Sequence, residues 1–281
     1  MPTQNLVAFT GGTNLVVDLD GAAVLKIFPP VYRNQYVSES AALHQLSGRL
    51  SVSTPDILAE GEGDGWSWLI MTRMTGVAGS SVWPELDDNA KEIILADAGR
   101  TIAEVHAMPV GRLEHVRLSW PDFIRKQVDG CVEKHRGQGF PERFLDELGV
   151  LASNAVNVIP LHAANVILTG DWIPQNFLLS DATGNWRVSG VIDFGDVRTG
   201  WGEYDLLAPS AITCEGKAQL VRSLFDGYGI VYDQGGDALR HRLLTLLVLH
   251  QESDFRNMVL PDWEDRISRV SDLASLIWPE V

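Results

Sequence analysis

Two carboxylates and an amide stand out in the stretch from Ile167 to Asp205: Asp171, Asn176 and Asp193. Asn176 follows Asp171 by five positions and opens the apolar run Phe177-Leu178-Leu179. Asp193 closes a second apolar run, Val188 to Ile192, and Phe194-Gly195 follow it. Phosphoryl transfer is the chemistry that uses such a set. One carboxylate accepts the proton of an attacking hydroxyl. An amide oxygen and a second carboxylate are the hard donors that magnesium prefers, and the metal neutralises charge on the transferring phosphate. Any one of these residues alone reads more simply as a turn or cap residue. All three at strand ends, at this spacing, make that simpler reading weak.

The two apolar runs set the expected geometry. Gly184-Asn185, inside Asp181 to Asn185, carry turn chemistry, so the runs should pair as a hairpin. Antiparallel pairing puts Asn176 and Asp193 at the same end of the ribbon, with Asp171 in the loop leading in.

T-G-D-W-I-P-Q-N, followed by I-D-F-G-D and E-Y-D, resembles the aminoglycoside phosphotransferase family, which shares the protein-kinase fold. The pattern there is H-x-D-x-x-x-x-N, then D-F-G or a close variant. Thr169 stands where most members carry His. The proton acceptor in that pattern is the Asp, so the change bears on loop packing more than on chemistry. A rival register through His162 fails, because no Asp follows two positions later. The resemblance implies Asp171 as the catalytic residue and Asn176 and Asp193 as magnesium ligands.

The rest of the chain must position that stretch. Leu15 to Val17 and Ala22 to Phe28 read as a hairpin, preceded by a glycine turn that includes Gly11, Gly12, Thr13 and Asn14. Lys26 interrupts the second strand and either points outward or is buried and paired. Glu39 favours the paired reading. It shares an apolar face with Tyr36, Leu43 and Leu46 on a helix expected over Tyr36 to Leu46, and a glutamate there needs a partner. The resemblance implies that Lys26 contacts the nucleotide phosphates and that Glu39 fixes it. It also makes the glycine turn the nucleotide loop. A further hairpin, Ile57 to Met71, leads to Thr72, Arg73 and Met74, whose backbone would meet the adenine edge.

From Pro84 onward the pattern is helical. Helices are expected after Asp87-Asp88, from Ser119 to Lys134, from Pro141 to Ser153, from Lys217 to Tyr228, from Ala238 to His250 and from Trp263 to Ile277. His106 reads as a residue that favours the negative end of the first of these helices. Tyr204-Asp205 reads as a structural anchor. The resemblance implies that carboxylates near the site and toward the C-terminus hold ammonium groups of an acceptor. The candidates are Asp196, Glu203, Glu252 and Asp254, although a solvated acidic surface is the plainer reading of each.

Composition narrows the function class. The formal net charge of −15 disfavours nucleic acid and anionic membranes and mildly favours a cationic substrate. No apolar run approaches the ~18 residues of a membrane helix. The N-terminus lacks a secretory pattern. Two cysteines far apart, Cys131 and Cys214, fit a reduced cytoplasmic compartment.

The expectation is therefore an α+β, two-lobed protein-kinase-like fold. An antiparallel-sheet lobe spans residues 1–71, a hinge spans 72–76, and a mostly helical lobe spans 77–281. The expected activity is ATP- or GTP-dependent, Mg²⁺-assisted phosphorylation of a small molecule, an aminoglycoside first, by a monomer or homodimer. Choline or homoserine are alternative acceptors. A kinase-like nucleotide binder without turnover is the rival from another class. No A-P-E segment marks a protein-kinase activation loop.

Overall fold

The computed structural model describes residues 7–9, 12–181, 184–230, 236–251 and 254–280. Gly11 and Glu252 lie outside the described residues.

The chain begins with β1 (Val7–Ala8), β2 (Leu15–Leu19) and β3 (Ala23–Phe28). Helix α1 (Arg33–Leu46) follows, then β4 (Ile57–Gly63) and β5 (Trp66–Thr72). These strands form one antiparallel sheet in the order β1-β2-β3-β5-β4. Side chains two apart on a strand share a face. Lys26 and Phe28 therefore point together toward α1, and both are buried. The buried face of α1 carries Tyr36, Glu39, Leu43 and Leu46, as the helical spacing predicts.

Beyond the sheet come β6 (Val77–Ala78), α2 (Gly79–Val82) and α3 (Asp88–Ala107). Asp87 caps α3 by accepting from the Ala90 N–H at 2.8 Å. Next are α4 (Trp120–Val128), α5 (Cys131–Gly137) and α6 (Glu142–Val158). The stretch around Asp171, Asn176 and Asp193 is built from β7 (Val166–Leu168), β8 (Phe177–Ser180), β9 (Arg187–Val191) and β10 (Arg198–Gly200). The chain closes with α7 (Ala218–Tyr228), α8 (Gly236–Leu249), α9 (Trp263–Arg266) and α10 (Leu273–Ile277). Helices α3 and α7 pack backbone to backbone, because Gly99 and Gly227 leave no side chain between them. The connection between α1 and β4 also bonds to the β8–β9 hairpin. The Val191 N–H donates to the Ser53 carbonyl at 2.9 Å, and the Ser53 N–H donates to the Ser189 carbonyl at 3.1 Å.

Two expected helices are broken. The stretch from Ser119 to Lys134 divides at Gly130, whose φ of 75° lies in the left-handed region. The stretch from Trp263 to Ile277 divides because Ile267 and Arg269 are extended. There carboxylates replace the helical ladder. Asp272 accepts the N–H groups of Ser268 and Arg269, each at 2.9 Å. Glu147 of α6 accepts those of Val270 and Ser271 at 2.8 and 3.1 Å. Helix α6 instead runs past Ser153 to Val158. No helix among the described residues is long and apolar enough to cross a membrane.

Candidate active site

The β8–β9 hairpin pairs Phe177 with Val191 and Leu178 with Gly190. The Ile192 N–H donates to the Asn176 carbonyl at 3.0 Å, so Asn176 and Asp193 do emerge at one end. Strands β7 and β10 pair antiparallel and close the base of the loop that carries Asp171. Asn176 Nδ2 donates to Asp171 Oδ2 at 2.8 Å and to the Asp171 carbonyl at 3.0 Å. Its amide nitrogen is thus engaged, which orients the amide oxygen away from Asp171.

Burial pushes the Asp171 carboxyl up to about 6, with Asp193, Asp196 and Asp205 adding to the rise and the Asn176 hydrogen bond opposing it. The group therefore titrates near neutrality, where a proton acceptor is useful.

Lys26 is buried and paired. Its ammonium bonds Glu39 Oε2 at 2.6 Å and Asp193 Oδ1 at 2.9 Å. Burial opposes the charge on Lys26, but these two carboxylates outweigh it and hold the ammonium above its ordinary value. Burial raises Glu39, and Lys26 offsets only part of that rise. Burial also works against ionised Asp193, but the Lys26 ammonium outweighs it and lowers that carboxyl. Asp193 remains half-exposed, with a side-chain exposure of 51%. Its backbone lies in the left-handed region at φ 66°.

Among the described residues, no three His, Cys, Asp or Glu side chains gather as a metal site. Asn176 and Asp193 nonetheless offer an oxygen-only pair. Magnesium of the nucleotide-kinase type needs only one or two protein ligands, with phosphate and water supplying the rest. The residues present fit that ion.

The loop around Thr169 is held by Asp205. Its carboxylate accepts the N–H groups of Thr169 and Gly170 at 2.9 and 2.8 Å, and Trp172 Nε1–H at 3.0 Å. The Thr169 hydroxyl lies 3.3 Å from the same carboxylate. His106 reaches Asp205 from the end of α3. His106 does stand in the last turn of α3, and its ring is in addition committed to Asp205 and Tyr228. No local pattern announces a partner 99 residues away.

The remaining candidates separate. Gly12 has φ 88°, and Thr13 is exposed. Asn14 Nδ2 donates to Gln35 Oε1 of α1 at 2.8 Å, tying the glycine turn to that helix. The Thr72 N–H donates to the Asp56 carbonyl and the Arg73 N–H to the Ala22 carbonyl. Arg73 also pairs with Asp18 at 2.9 Å. No hydrogen bond to the Met74 N–H is found among the described residues. Asp196 lies beside the cluster, 3.4 Å from Arg117. Glu203 is held by both arms of Arg242, at 2.9 and 2.7 Å. Asp254 accepts from the Arg256 N–H at 3.0 Å and from its guanidinium. Arg117 and Gln35 join the site without having been marked by any sequence pattern, and Trp172, inside the T-G-D-W-I-P-Q-N motif, was given no role of its own.

Similarity to known proteins agrees with this geometry. The chain is 29% identical to an aminoglycoside 3'-phosphotransferase of Streptomyces ribosidificus over 157 residues, 53% of this chain and 55% of that one. A second such protein, from Streptomyces fradiae, is 25% identical over 152 residues, 52% of this chain and 53% of that one. The matches span about half the length of these relatives. Among solved structures, the GDP complex of wild-type aminoglycoside 2'-phosphotransferase-IIIa superposes with a TM-score of 0.71 at 18% identity. That likeness, which is one of fold, covers 98% of this chain and 91% of the other. A model of the phosphotransferase enzyme family matches residues 10–242, sheet and catalytic hairpin together, and the chain belongs to that family.

Proposed function

We propose that the protein is a small-molecule kinase that moves the γ-phosphate of ATP or GTP to a hydroxyl, with an aminoglycoside as the leading acceptor. The observation that carries this reading is the Asp171–Asn176 hydrogen bond at 2.8 Å beside a Lys26-bound Asp193. Asp171 accepts the proton of the acceptor hydroxyl. Asn176 and Asp193 hold Mg²⁺, which when bound draws charge from the phosphates. Lys26, fixed by Glu39, binds phosphate oxygens, and Gly12, Thr13 and Asn14 close over them. The carbonyls at Thr72 and Arg73 and the N–H of Met74 face the base. In this reading residues 72–76 are the hinge between a nucleotide-binding lobe and a helical acceptor lobe. Catalysis is then positioning and electrostatic stabilisation.

An aminoglycoside is favoured by what the curated relatives are named for, and by the net charge of −15. A less highly charged acceptor is the second reading. It is supported by Glu203 and Asp254, which already have arginine partners that a polycation would need to displace.

The test is ADP and GDP release with Mg²⁺ across a panel of aminoglycosides, macrolides, choline and homoserine, with Asp171→Ala as control. Turnover lost in that variant supports the kinase. Nucleotide binding without turnover on any acceptor would count against catalysis.

A further inference from the structure

Asp193 is a non-glycine residue at φ 66°. Aspartate enters that region more readily than most residues, and here neighbours hold both its carboxylate and the turn that follows it. Two of those neighbours come from α1 and β3: Lys26 bonds the Asp193 carboxylate, and Glu39 accepts the Phe194 N–H. The third comes from the helical part of the chain. Arg117 lies just before α4 and is largely covered, with a side-chain exposure of 20%. Its Nε donates to Ser38 Oγ at 2.8 Å, and its Nη2 donates to the Gly195 carbonyl and lies 3.4 Å from Asp196 Oδ1. Ser38 is fully buried and adjoins Glu39.

We propose that Arg117 is a positioning residue for the metal loop, clamping α1 to the turn from Asp193 to Asp196 and so holding Asp193 where it can ligate the ion. The inference rests on the kinase reading above. A guanidinium is a rigid planar fork, so bonding Ser38 with one arm and Gly195 with another fixes the distance between helix and turn. A lysine ammonium at that place is a single point on a flexible stem, able to donate but without the rigid fork that sets the spacing. Arg117 is not needed merely to dock this part of the chain. Gln45 of α1 already donates to the Pro109 carbonyl at 2.7 Å, and the Ser51 N–H donates to Glu104 at 2.7 Å.

The test is calorimetric binding of ATP and of GTP to the full chain, in EDTA and in Mg²⁺, alongside Tm. Wild type should bind one nucleotide more tightly with the metal. Arg117→Gln should lose roughly tenfold or more of that tightening, the usual scale for a residue that orients a metal ligand. Its metal-free affinity and its Tm should stay close to wild type. Arg117→Lys should recover part of the loss. Ser38→Ala, which removes only the helix contact, should show a smaller loss in the same direction.

Wild-type metal tightening in Arg117→Gln overturns the proposal. If that variant does not fold, full tightening in both Arg117→Lys and Ser38→Ala overturns it. A wild-type protein that binds neither nucleotide defeats the kinase reading itself, and the proposal with it. A wild type that binds nucleotide with no metal effect overturns the proposal and the metal ligands, while leaving nucleotide binding intact.

Discussion

His106 Nε2 lies 3.2 Å from Asp205 Oδ2, and Nδ1 of the same ring lies 2.9 Å from the Tyr228 hydroxyl. The carboxylate can only accept, so Nε2 donates to it, and Nδ1 shares a second hydrogen bond with the Tyr228 hydroxyl. Burial, together with Asp205 and Glu203, pushes that hydroxyl up to about 12, which keeps it protonated. One imidazole thus joins the end of α3, the end of α7 and the carboxylate that carries the catalytic loop. His106→Ala leaves Asp205 short of one donor in a fully buried place. The expected loss is about 1–3 kcal/mol of stability, read by urea denaturation, with lower kcat. His106→Gln, which can still donate, should recover part of both.

Asp171 is strained electrostatically as well as placed. Its pKa of about 6 stands above the ordinary 3.8. A raised folded value means that its contribution to stability is full below the ordinary value and lost as pH rises through about 6. At mildly alkaline pH the ionised group destabilises the fold by up to about 2–3 kcal/mol. Asp171→Asn removes that charge at nearly constant shape. The variant should be inactive yet melt higher than wild type in metal-free buffer. A lower Tm would mean that the carboxylate stabilises the loop instead.

The same shift sets a pH profile. Asp171 accepts a proton only when ionised, so kcat/KM should fall as pH drops below about 6 and level off above it. A profile flat down to the ordinary carboxylate range would remove Asp171 as the group responsible.

Lys26→Met leaves Glu39, 2% exposed, without its cation. Breaking a buried pair in this way costs about 3–5 kcal/mol while the remaining group is charged. Glu39 can escape by taking up a proton, since its pKa is already raised. The penalty should therefore be small in acid and grow as pH rises. Chemical denaturation at several pH values reads this directly. Adding Glu39→Gln should flatten the dependence, and a penalty equal at all pH values would contradict a buried charge.

Gly227→Ala tests the α3–α7 crossing. Alanine gains about 1 kcal/mol over glycine in a helix. Here its Cβ would sit 2.3 Å from the Ala96 carbonyl oxygen, a contact that backbone cannot yield without separating the helices. Overpacking of this kind costs about 1–3 kcal/mol, so packing outweighs propensity and Tm should fall. Nucleotide binding should change little, because neither helix carries a proposed ligand.

Much of the catalytic hairpin was legible along the chain. Apolar runs around a glycine turn dictate antiparallel pairing, and pairing alone places Asn176 beside the residues that end at Asp193. Alternation in β3 and the 3.6-residue period of α1 likewise bring Lys26 and Glu39 to facing surfaces. These are properties of neighbours in sequence, governed by backbone geometry and side-chain period. The helix breaks at Gly130 and Ile267 were not legible, because apolar spacing continues through them while backbone conformation and distant carboxylates end the ladder.

What only tertiary structure decided is which charges meet. Asp205 takes the N–H groups of a loop 35 and 36 residues away, Glu203 is claimed by Arg242, and Arg117 bridges Ser38 and Gly195. Sequence periodicity governs which face a side chain occupies. Electrostatic and hydrogen-bond partners are chosen by whatever the packed chain brings within about 3 Å, and that choice follows from the fold as a whole.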